Sequence, residues 1–474
     1  MLLKRFYDEK LAQASYMVGC QATGEAVVVD PNRDVEFYLR AAEAEKMAIR
    51  YVTETHIHAD YLSGSRELAR RSGATLVLSG EGGPDWLYTF CDQEEDVRVV
   101  HDGDELRLGN VRIRILHTPG HTPEHISFMV TDGAASDEPM GVLTGDFVFV
   151  GDVGRPDLLE KAAGIRDTME AGARTLWQSL ERFRALPGYL QILPGHGAGS
   201  ACGKALGAVP TSTLGYEVLT NWAFRCESED DFVEQVLSDQ PEPPVYFAHM
   251  KRMNRDGPAV LGSLPHPMPM APIHLEELLD AGAPVVDLRS REAFAAGHVP
   301  GTINIPLDRD FPNWAGWLLP YDRPIYFLGP DEEAGAQAAR DLAFIGIDAS
   351  EGFFGPDALD AWAAAHGGLE SSRVVGWTEA LRAVEEEDAV LVDVRRLTEW
   401  EEGHVDGARH VHLGYLVDRA QELPRDRPIL LYCRTGARSG KGMSLLQAHG
   451  FPDVRNVEGG VVQAETEGVV LTSG

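Results

Sequence analysis

The sequence predicts a chain of three α/β domains, in which an N-terminal domain precedes two copies of a second type of domain. At 474 residues the chain is too long for one compact core, because single domains typically hold ~100 to 200 residues. Short apolar runs that end in polar or glycine residues alternate with helical patterns, which is typical of α/β proteins. The C-terminal half also contains an internal repeat, which predicts two homologous domains.

The repeat begins at Val285 with VVDLRSREAFAAGHVPG and returns at Leu391 with LVDVRRLTEWEEGHVDG. Each copy has an apolar strand, an acidic helix that ends at Gly-His-Val, and a glycine-containing turn into another strand. Residues 257–272, ahead of the first copy, hold five prolines, so we expect an interdomain linker without a helix or a central strand. The predicted domains are 1–262, 263–370 and 371–474.

The N-terminal domain shows the same alternation of elements. EAVVVDP, VEFYLRAAEAEKM and IRYVTET predict a strand, a helix and a strand, and VRIRIL, GVLTG and YLQIL predict later strands. Runs of both kinds within one domain predict a mixed, layered α/β structure.

The composition argues against nucleic acid and membrane partners. Forty-two basic against 74 acidic side chains give a formal charge of -32, which repels nucleic acid and anionic lipid. Mean hydropathy is -0.19, and no apolar run approaches the ~20 residues of a membrane span. Early charges such as Lys4 and Arg5 interrupt any signal core, so we expect a cytoplasmic protein. Five sparse cysteines favour free thiols over a disulfide framework.

Six side chains at the ends of predicted strands form a candidate metal site. They are His56, His58, Asp60, His121, Asp146 and His196. The first three alternate along an extended loop after IRYVTET and therefore point to one side. The others follow VRIRIL, GVLTG and YLQIL after glycine or proline turns that can aim them into a shared cleft. Imidazole and carboxylate ligands suit zinc or iron, and a hydrogen-bonded polar cluster is the alternative.

This pattern resembles the metallo-β-lactamase superfamily over roughly residues 1–260. The matching segments are T-H-x-H-x-D at 55–60, HTPGHT at 117–122 and Gly145-Asp146. The resemblance implies an αββα sandwich that binds metal. Tyr61 departs from the pattern, because binuclear hydrolases of this fold carry a second-site histidine at this position, and a dinuclear hydrolytic site is therefore disfavoured.

The remaining set of His56, His121 and Asp146 is similar to the ligands of the persulfide dioxygenase branch of the superfamily. Enzymes of this branch bind one iron and oxidise glutathione persulfide with oxygen to sulfite and glutathione. Two histidines and one carboxylate with open positions suit non-haem Fe(II) chemistry. The resemblance therefore implies one Fe(II) per chain, with zinc as the alternative. It leaves an outer shell, or alternative ligands, at His58, Asp60 and His196.

Two further residues of this domain are candidates for substrate binding. GDVGRPDL at 151–158 resembles a segment of the same branch, which makes Arg155 a candidate for holding a substrate carboxylate. The alternative is an exposed ion pair with Asp152 or Asp157. Cys202 lies in HGAGSACGK, which resembles dioxygenases fused to rhodanese domains; it is a candidate persulfide thiol or else a buried inert one. No role is assigned to Cys20, Cys91, Cys226 or His125.

The last domain contains a reactive cysteine candidate at Cys433. CRTGARS, at 433–439, joins the strand PILLY to a helical stretch, and backbone N–H groups at a helix N-terminus stabilise a thiolate. The run resembles the rhodanese family over about residues 373–470, which implies a central parallel sheet. By that resemblance Cys433 accepts sulfur as a persulfide, and Arg434 and Arg438 contact the anionic donor.

The first copy lacks this cysteine. Aligning DRPI at Asp322 with DRPI at Asp426 sets Gly329 opposite Cys433. The loop 329–334 has no arginine and three carboxylates, so it should repel anionic donors and cannot form a thiolate. We expect the first copy to be catalytically silent and to have an architectural role.

The leading hypothesis is an iron-dependent persulfide dioxygenase and sulfurtransferase that acts in sulfide oxidation or detoxification. Its expected partners are a small thiol persulfide, oxygen, sulfite and thiosulfate, with no nucleic acid and no membrane; a homo-oligomer is compatible with the sequence. One alternative is a zinc thioesterase of the hydroxyacyl-glutathione hydrolase type. Another is a carrier in which Cys433 only binds and presents sulfur.

Overall fold

The computed structural model describes residues 1–161, 168–200, 202–203 and 206–473. Its contacts divide the chain into two compact units. The first comprises Met1–Leu264 with Ala343–Gly346, and the second comprises Pro265–Leu342 with Ile347–Gly474. Among the described residues, no helix combines the length and the apolar character that crossing a bilayer requires.

The first unit alternates strands with helices. Its strands are β1 (Leu2–Asp8), β2 (Gln13–Cys20), β3 (Glu25–Val29), β4 (Ala48–Thr53), β5 (Thr75–Ser79), β6 (Val97–Val100), β7 (Glu105–Leu108), β8 (Val111–His117), β9 (Ile126–Asp132), β10 (Gly141–Gly145), β11 (Gln191–Pro194) and β12 (Ser212–Thr213). Its helices are α1 (Val35–Ala44), α2 (Ser65–Ser72), α3 (Leu158–Lys161), α4 (Met169–Arg184), α5 (Leu214–Thr220), α6 (Trp222–Arg225), α7 (Glu229–Leu237) and α8 (Tyr246–Asp256).

The strands of this unit form two six-stranded sheets, ordered β1-β2-β3-β4-β5-β6 and β12-β11-β10-β9-β8-β7. One apolar core lies between them and draws on β2, β3 and β7–β11. A second core packs α1 and α2 on the outer face of the first sheet, and a third packs α4 and α7 on the second sheet. The predicted αββα sandwich is therefore confirmed.

The β2 strand shows how the sequence produces these layers. Tyr16 and Val18 point into the core between the sheets, while Met17 points into the core under the helices. Because both faces are covered, every residue of the strand is buried, and from Tyr16 to Val18 consecutive residues on both faces are apolar.

The second unit also alternates strands with helices. Its strands are β13 (Met268–Pro269), β14 (Val285–Asp287), β15 (Ile303–Asn304), β16 (Ile325–Leu328), β17 (Ser350–Phe354), β18 (Arg373–Val375), β19 (Val390–Asp393), β20 (His404–Val405), β21 (Arg409–His410), β22 (Ile429–Tyr432), β23 (Val454–Val457) and β24 (Leu471–Thr472). Its helices are α9 (His274–Asp280), α10 (Arg291–Ala296), α11 (Phe311–Leu318), α12 (Glu332–Phe344), α13 (Asp357–His366), α14 (Trp377–Glu386), α15 (Leu397–Glu402), α16 (Ala437–Ala448) and α17 (Gly460–Glu467).

The two repeats of this unit build matching parallel sheets, ordered β13-β17-β16-β14-β15 and β18-β23-β22-β19-β21. The central parallel sheets expected from the sequence are confirmed. Asp287 pairs with Leu328 in the first repeat as Asp393 pairs with Tyr432 in the second. This shared register sets the next residue, Gly329, at the position that corresponds to Cys433.

The proline-rich stretch before the first repeat contains no helix, and its one short strand, β13, lies at the edge of the sheet. Pro269 is tolerated there because an edge strand can leave a missing N–H on its open side. The prediction of no helix and no central strand between 257 and 272 is therefore confirmed.

Candidate metal centre and cysteine loop

The candidate metal ligands lie in loops where strands of both sheets end. His56 follows β4 of the first sheet, while His121 lies in the turn from β8 to β9 and Asp146 follows β10 of the second. Gly145 allows the loop after β10 to lie close to the loop after β4. It adopts φ of 49°, and a Cβ there would lie 2.6 Å from the side chain of Thr55. Steric contact with Thr55 therefore explains why a glycine precedes Asp146.

His56, His121 and Asp146 each offer a ligand atom, and these atoms lie within 4.8 Å of one another. Nε2 of His56 is 3.9 Å and Nε2 of His121 is 3.7 Å from Oδ2 of Asp146. All three side chains are buried. The structure therefore brings together the three residues that the sequence singles out as a ligand set.

Hydrogen bonds fix which ring nitrogen of each histidine is free to bind metal. Nδ1 of His121 lies 3.0 Å from the carbonyl oxygen of Arg155, so it must donate its proton. The Thr55 hydroxyl donates to Asp30 and can therefore only accept from Nδ1 of His56, at 2.9 Å. In both rings the unprotonated Nε2 faces Asp146, as in metal sites where the second ring nitrogen is anchored.

A second group adjoins the first and consists of Asp60, His196 and Cys202, whose ligand atoms also lie within 4.8 Å of one another. Nδ1 of His196 donates to the carbonyl of Ala12, which leaves Nε2 facing Asp60 at 3.2 Å and Asp146 at 3.4 Å. Asp146 therefore lies between the two groups.

The arrangement fits a bound cation. Apart from the weak thiol donor of Cys202, neither oxygen of Asp146 receives a hydrogen bond from a residue that the structure describes, and Oδ1 of Asp60 also lacks one. Burial raises the pKa of Asp146, and burial together with the neighbouring imidazoles holds the pKa of His56 well below its ordinary value. Buried carboxylates that face nitrogen lone pairs are unfavourable unless a cation lies between them.

The Tyr61 hydroxyl and Nε2 of His58 make their hydrogen bonds with Asp30 and with each other, whereas the buried Nδ1 of His58 has no hydrogen-bond partner among the described residues. Nε2 of His58 lies 3.0 Å from a carboxylate oxygen of Asp30 and 3.0 Å from the Tyr61 hydroxyl. The hydroxyl itself donates to the Asp30 carbonyl, at 3.3 Å. At the position where binuclear hydrolases of this fold carry a histidine, this chain therefore has a hydroxyl that bonds to His58 and Asp30.

Three residues around the centre were missed or left without a role by the sequence analysis. Asp30 accepts hydrogen bonds from the N–H and hydroxyl of Thr55 and contacts His58, so it orients the ligand loop. His125 is buried, and its Nε2 accepts from the N–H of Asp146 at 3.2 Å. The terminal aspartate of VVVDP was the available signal for Asp30.

Lys251 is the third of these residues, and no motif pointed to it. Its ammonium lies 4.2 Å from the ring centre of Trp86, and burial lowers its pKa to about 8. Its charge is among the causes that lower the pKa of His56 and His121. A cation on α8 therefore contributes to the electrostatics of the metal centre.

Arg155 forms an ion pair with Asp157, as one of the two sequence interpretations expected, but the expectation that this pair would be exposed was wrong. Both side chains are fully buried, and the guanidinium donates to both Asp157 oxygens and to the carbonyl of Pro241. Paired burial satisfies the charge, and the chain bend at Arg155 presents its own carbonyl to His121.

Cys202 is buried beside the carboxylates of Asp60 and Asp146. Burial, followed by these two charges, raises the pKa of its thiol well above the ordinary value. The other cysteines without an assigned role, Cys20 and Cys226, are buried, and Cys91 is partly exposed.

Cys433 follows β22 directly and lies in the loop that enters α16. The N–H of Gly436 donates to its sulfur at 3.1 Å, and the hydroxyl of Ser439 lies 3.4 Å from it. Although burial opposes ionisation, the Ser439 hydroxyl, the Arg438 guanidinium and nearby N–H groups together hold the pKa of Cys433 below its ordinary value. The loop therefore supplies donors that favour the ionised form of Cys433.

The two arginines of this loop differ in their surroundings. Arg438 forms a bidentate pair with Glu399, at 2.5 and 2.7 Å, and both side chains are largely buried. Arg434 is exposed. Arg438 therefore reaches the thiol with a partly neutralised charge, whereas the charge of Arg434 is presented to solvent.

The corresponding loop of the first repeat is filled by apolar groups. A Cβ at Gly329 would lie 3.2 Å from Phe353 and 3.4 Å from Leu288. Phe353 pairs with β16 where Asn456 pairs with β22, and Asn456 donates to the carbonyl of Gly436 in the Cys433 loop. The first repeat thus lacks both the thiol and the amide that holds its loop.

Comparison with known proteins agrees with this architecture. The sequence model of the metallo-beta-lactamase superfamily matches residues 9–196, and that of the rhodanese-like domain matches residues 272–355 and 377–467. A crystal structure of a metallo-beta-lactamase from Staphylococcus aureus is 44% identical in sequence, with a TM-score of 0.67, and the match covers 75% of this chain and 98% of that one. The chain belongs to the metallo-beta-lactamase superfamily. Two rhodanese-like domains follow its metallo-beta-lactamase domain.

Two relatives of the N-terminal domain carry different names. A hydroxyacylglutathione hydrolase of Rhodospirillum rubrum is 32% identical over 181 residues, which is 38% of this chain and 60% of that protein. The mitochondrial persulfide dioxygenase ETHE1 of Bos taurus is 29% identical over 203 residues, which is 41% of this chain and 68% of that protein. The chain thus spans about 60% of the length of the first of these relatives.

Proposed function

We propose that this protein is an iron-dependent dioxygenase for a low-molecular-weight thiol persulfide, such as glutathione persulfide, joined to a sulfurtransferase centred on Cys433. The observation that carries the proposal is the set of His56, His121 and Asp146, whose free Nε2 atoms and buried carboxylate converge while Tyr61 is bonded away from them. Its place in metabolism is sulfide oxidation or detoxification.

The N-terminal reaction converts the persulfide, oxygen and water into the thiol, sulfite and protons. One Fe(II) per chain, when bound, supplies a redox-active Lewis acid with open positions. His56 and His121 hold it through neutral imidazoles, each anchored at Nδ1, and Asp146 supplies the anionic ligand. His125 fixes the backbone of Asp146, so the carboxylate keeps its direction during turnover.

Lys251 adds a fixed positive charge near this centre. A persulfide is anionic at neutral pH, so a partly buried ammonium whose charge acts on the ligands favours its approach and its orientation. The backbone carbonyl of Arg155 holds His121, and the assignment of its side chain to substrate binding stays a prediction.

At Cys433 the thiolate attacks the outer sulfur of a persulfide donor. A new S–S bond forms on Cys433, the S–S bond of the donor breaks, and the donor leaves as a thiolate with the bonding electron pair. Sulfite then attacks the sulfur carried by Cys433, which yields thiosulfate and returns Cys433 as a thiolate. The first domain produces sulfite, so the two sites share substrates.

A zinc thioesterase of the hydroxyacyl-glutathione hydrolase type is the second candidate. It is favoured by the adjoining group of Asp60, His196 and Cys202, which could hold a second ion that shares Asp146. The identity to the hydrolase from Rhodospirillum rubrum supports it as well.

Product analysis separates the two candidates. Protein loaded with iron or with zinc is incubated with glutathione persulfide or with an acyl-glutathione, in air and under nitrogen. The proposal predicts sulfite from persulfide only with iron and only in air. Hydrolysis of acyl-glutathione by the zinc form without sulfite from the iron form would support the thioesterase, and persulfide retained on Cys433 without turnover would support a carrier.

A further inference from the structure

One peptide unit connects the cysteine-less repeat to the sulfur of the active one. The carbonyl oxygen of Thr435 accepts a hydrogen bond from Nη1 of Arg291, at 3.3 Å. The N–H at the other end of the same peptide unit, that of Gly436, donates to the sulfur of Cys433 at 3.1 Å. Arg291 begins α10 of the first repeat, so a residue of the repeat without a thiol contacts the loop that holds the thiol.

This contact polarises the group that stabilises the thiolate. A guanidinium that donates to an amide oxygen draws electron density toward that oxygen, which makes the N–H of the same amide a stronger donor. It also fixes the orientation of the peptide. Gly436 has φ of 91°, a conformation in which the preceding peptide can rotate with little steric cost, so an external anchor has an effect.

The position of Arg291 is defined by its neighbours. Its Nε donates to Glu292 at 2.5 Å, and a Cβ at Gly436 would lie 3.2 Å from its Nη1. A side chain at position 436 would therefore press on the guanidinium as well as strain the turn.

Other contacts show that the first repeat lies along α16, the helix that follows the loop. The Ser444 hydroxyl accepts the N–H of Asn304 at 3.0 Å. Lys441 is buried, and Asp308 and Asp310 of the first repeat are among the charges that act on it. The repeat thus touches the active domain at its loop and along the helix that follows.

We propose that Arg291 of the cysteine-less repeat is a positioning residue for Cys433, acting through the peptide unit between Thr435 and Gly436. The first repeat then has a function beyond spacing, since it completes the donor set around a nucleophile on its neighbour. The inference rests on the proposed role of Cys433 as the nucleophile of sulfur transfer.

The test measures the thiolate of Cys433 directly in the full-length protein. Alkylation of Cys433 by iodoacetamide is followed from pH 5 to pH 9 by peptide-resolved mass spectrometry, which separates Cys433 from the other four cysteines. Arg291→Gln removes the positive charge and shortens the side chain, Arg291→Lys keeps a cationic donor, and Arg323→Gln removes an exposed arginine of the same repeat that pairs with Asp322.

Arg291→Gln is expected to move the pH profile of Cys433 alkylation upward by about half a unit, which slows alkylation by about threefold at pH values below the pKa of the thiol, because the thiolate fraction falls. Arg291→Lys should keep at least half of the parent rate, and Arg323→Gln should match the parent. A merely structural role would not move the pH profile. An unchanged profile in Arg291→Gln, or an equal shift in Arg323→Gln, overturns the inference.

The same data separate this inference from the proposed function. If Cys433 of the parent protein reacts at pH 7 like an ordinary thiol, the proposed nucleophile fails and the role of Arg291 fails with it. If the parent reacts fast and Arg291→Gln reacts equally fast, only the role of Arg291 is lost.

Discussion

The hydroxyl of Tyr61 lies 3.0 Å from Nε2 of His58 and donates to the carbonyl of Asp30, so its hydrogen bonds are made with these residues and not with Asp60 or His196. The adjoining metal group therefore lacks the imidazole that this position could supply. This relationship separates the two candidate reactions, because a second ion favours hydrolysis and a single redox-active ion favours oxygen chemistry.

Restoring an imidazole at position 61 should create a stronger second site. Tyr61→His is expected to raise the zinc content of the purified protein from about one toward two ions per chain, because a fourth ligand joins Asp60, His196 and Cys202. Mass spectrometry of the metal content measures this. Tyr61→Phe, which removes only the hydroxyl, should keep the parent stoichiometry; equal contents in all three proteins would contradict the interpretation.

Asp30 should control metal affinity without touching the metal. Asp30→Asn removes the carboxylate that holds Thr55 and His58, and outer contacts of this kind typically change metal affinity by about 10- to 100-fold. Competition with a chelator measures the change. The exposed Asp137, whose side chain is 95% accessible, is the matched control, and Asp137→Asn should retain the parent affinity.

Cys433→Ser should separate the two activities. Sulfur transfer from thiosulfate is expected to disappear, whereas oxygen uptake with persulfide should remain, because the serine hydroxyl does not ionise in this pH range. Cys91→Ser is the control, since burial raises the pKa of that thiol and no role is assigned to it. Loss of oxygen uptake in Cys433→Ser alone would mean that the sites are not independent.

The pH dependence of transfer follows from the lowered pKa of Cys433. The thiolate is present above that lowered value, so the transfer rate should hold at pH values where an ordinary thiol is protonated and should fall only as pH drops through the lowered pKa. Single-turnover transfer measured from pH 5 to pH 9 checks this. A rate that falls below about pH 8.5, the value of an unperturbed thiol, would contradict the thiolate assignment.

Arg155 should matter for stability. Arg155→Ala leaves Asp157 buried without its guanidinium, which typically costs about 3 to 5 kcal/mol. Urea titration of the first unit measures the loss in the free energy of unfolding. Arg174→Ala, which removes an exposed arginine from α4, should change it by less than about 1 kcal/mol. Similar losses in the two variants would argue against the buried pair as a stabilising element.

The fold was predictable because its signals are local or periodic. The two copies of the repeat, from Val285 and from Leu391, form two sheets with matching strand order. The apolar runs at β3, β8 and β10 form strands, as predicted. The absence of a helix and of a central strand from 257–272 was predictable from proline, which cannot donate to a ladder. These features depend on short stretches of sequence and on burial.

The surroundings of the sites were less predictable because they depend on contacts between distant segments. Arg155 pairs with a residue two positions away, yet its burial depends on the carbonyl of Pro241, far along the chain. The charge of Lys251 acts on the metal centre from α8, and Arg291 contacts the Cys433 loop from the other repeat, with no motif to mark either. Tyr61 could be recognised from the sequence as a departure from the metallo-β-lactamase pattern, whereas its hydrogen bonds with His58 and Asp30 could not.

Oxygen consumption by the iron-loaded protein shows whether the metal centre oxidises persulfide. Protein carrying one iron per chain is mixed with glutathione persulfide in an oxygen electrode, with the zinc-loaded protein and Asp146→Asn treated alike. The iron-loaded protein should take up one oxygen molecule per persulfide, the zinc-loaded protein none, and Asp146→Asn little. No oxygen uptake by the fully iron-loaded parent would contradict the proposed dioxygenase activity.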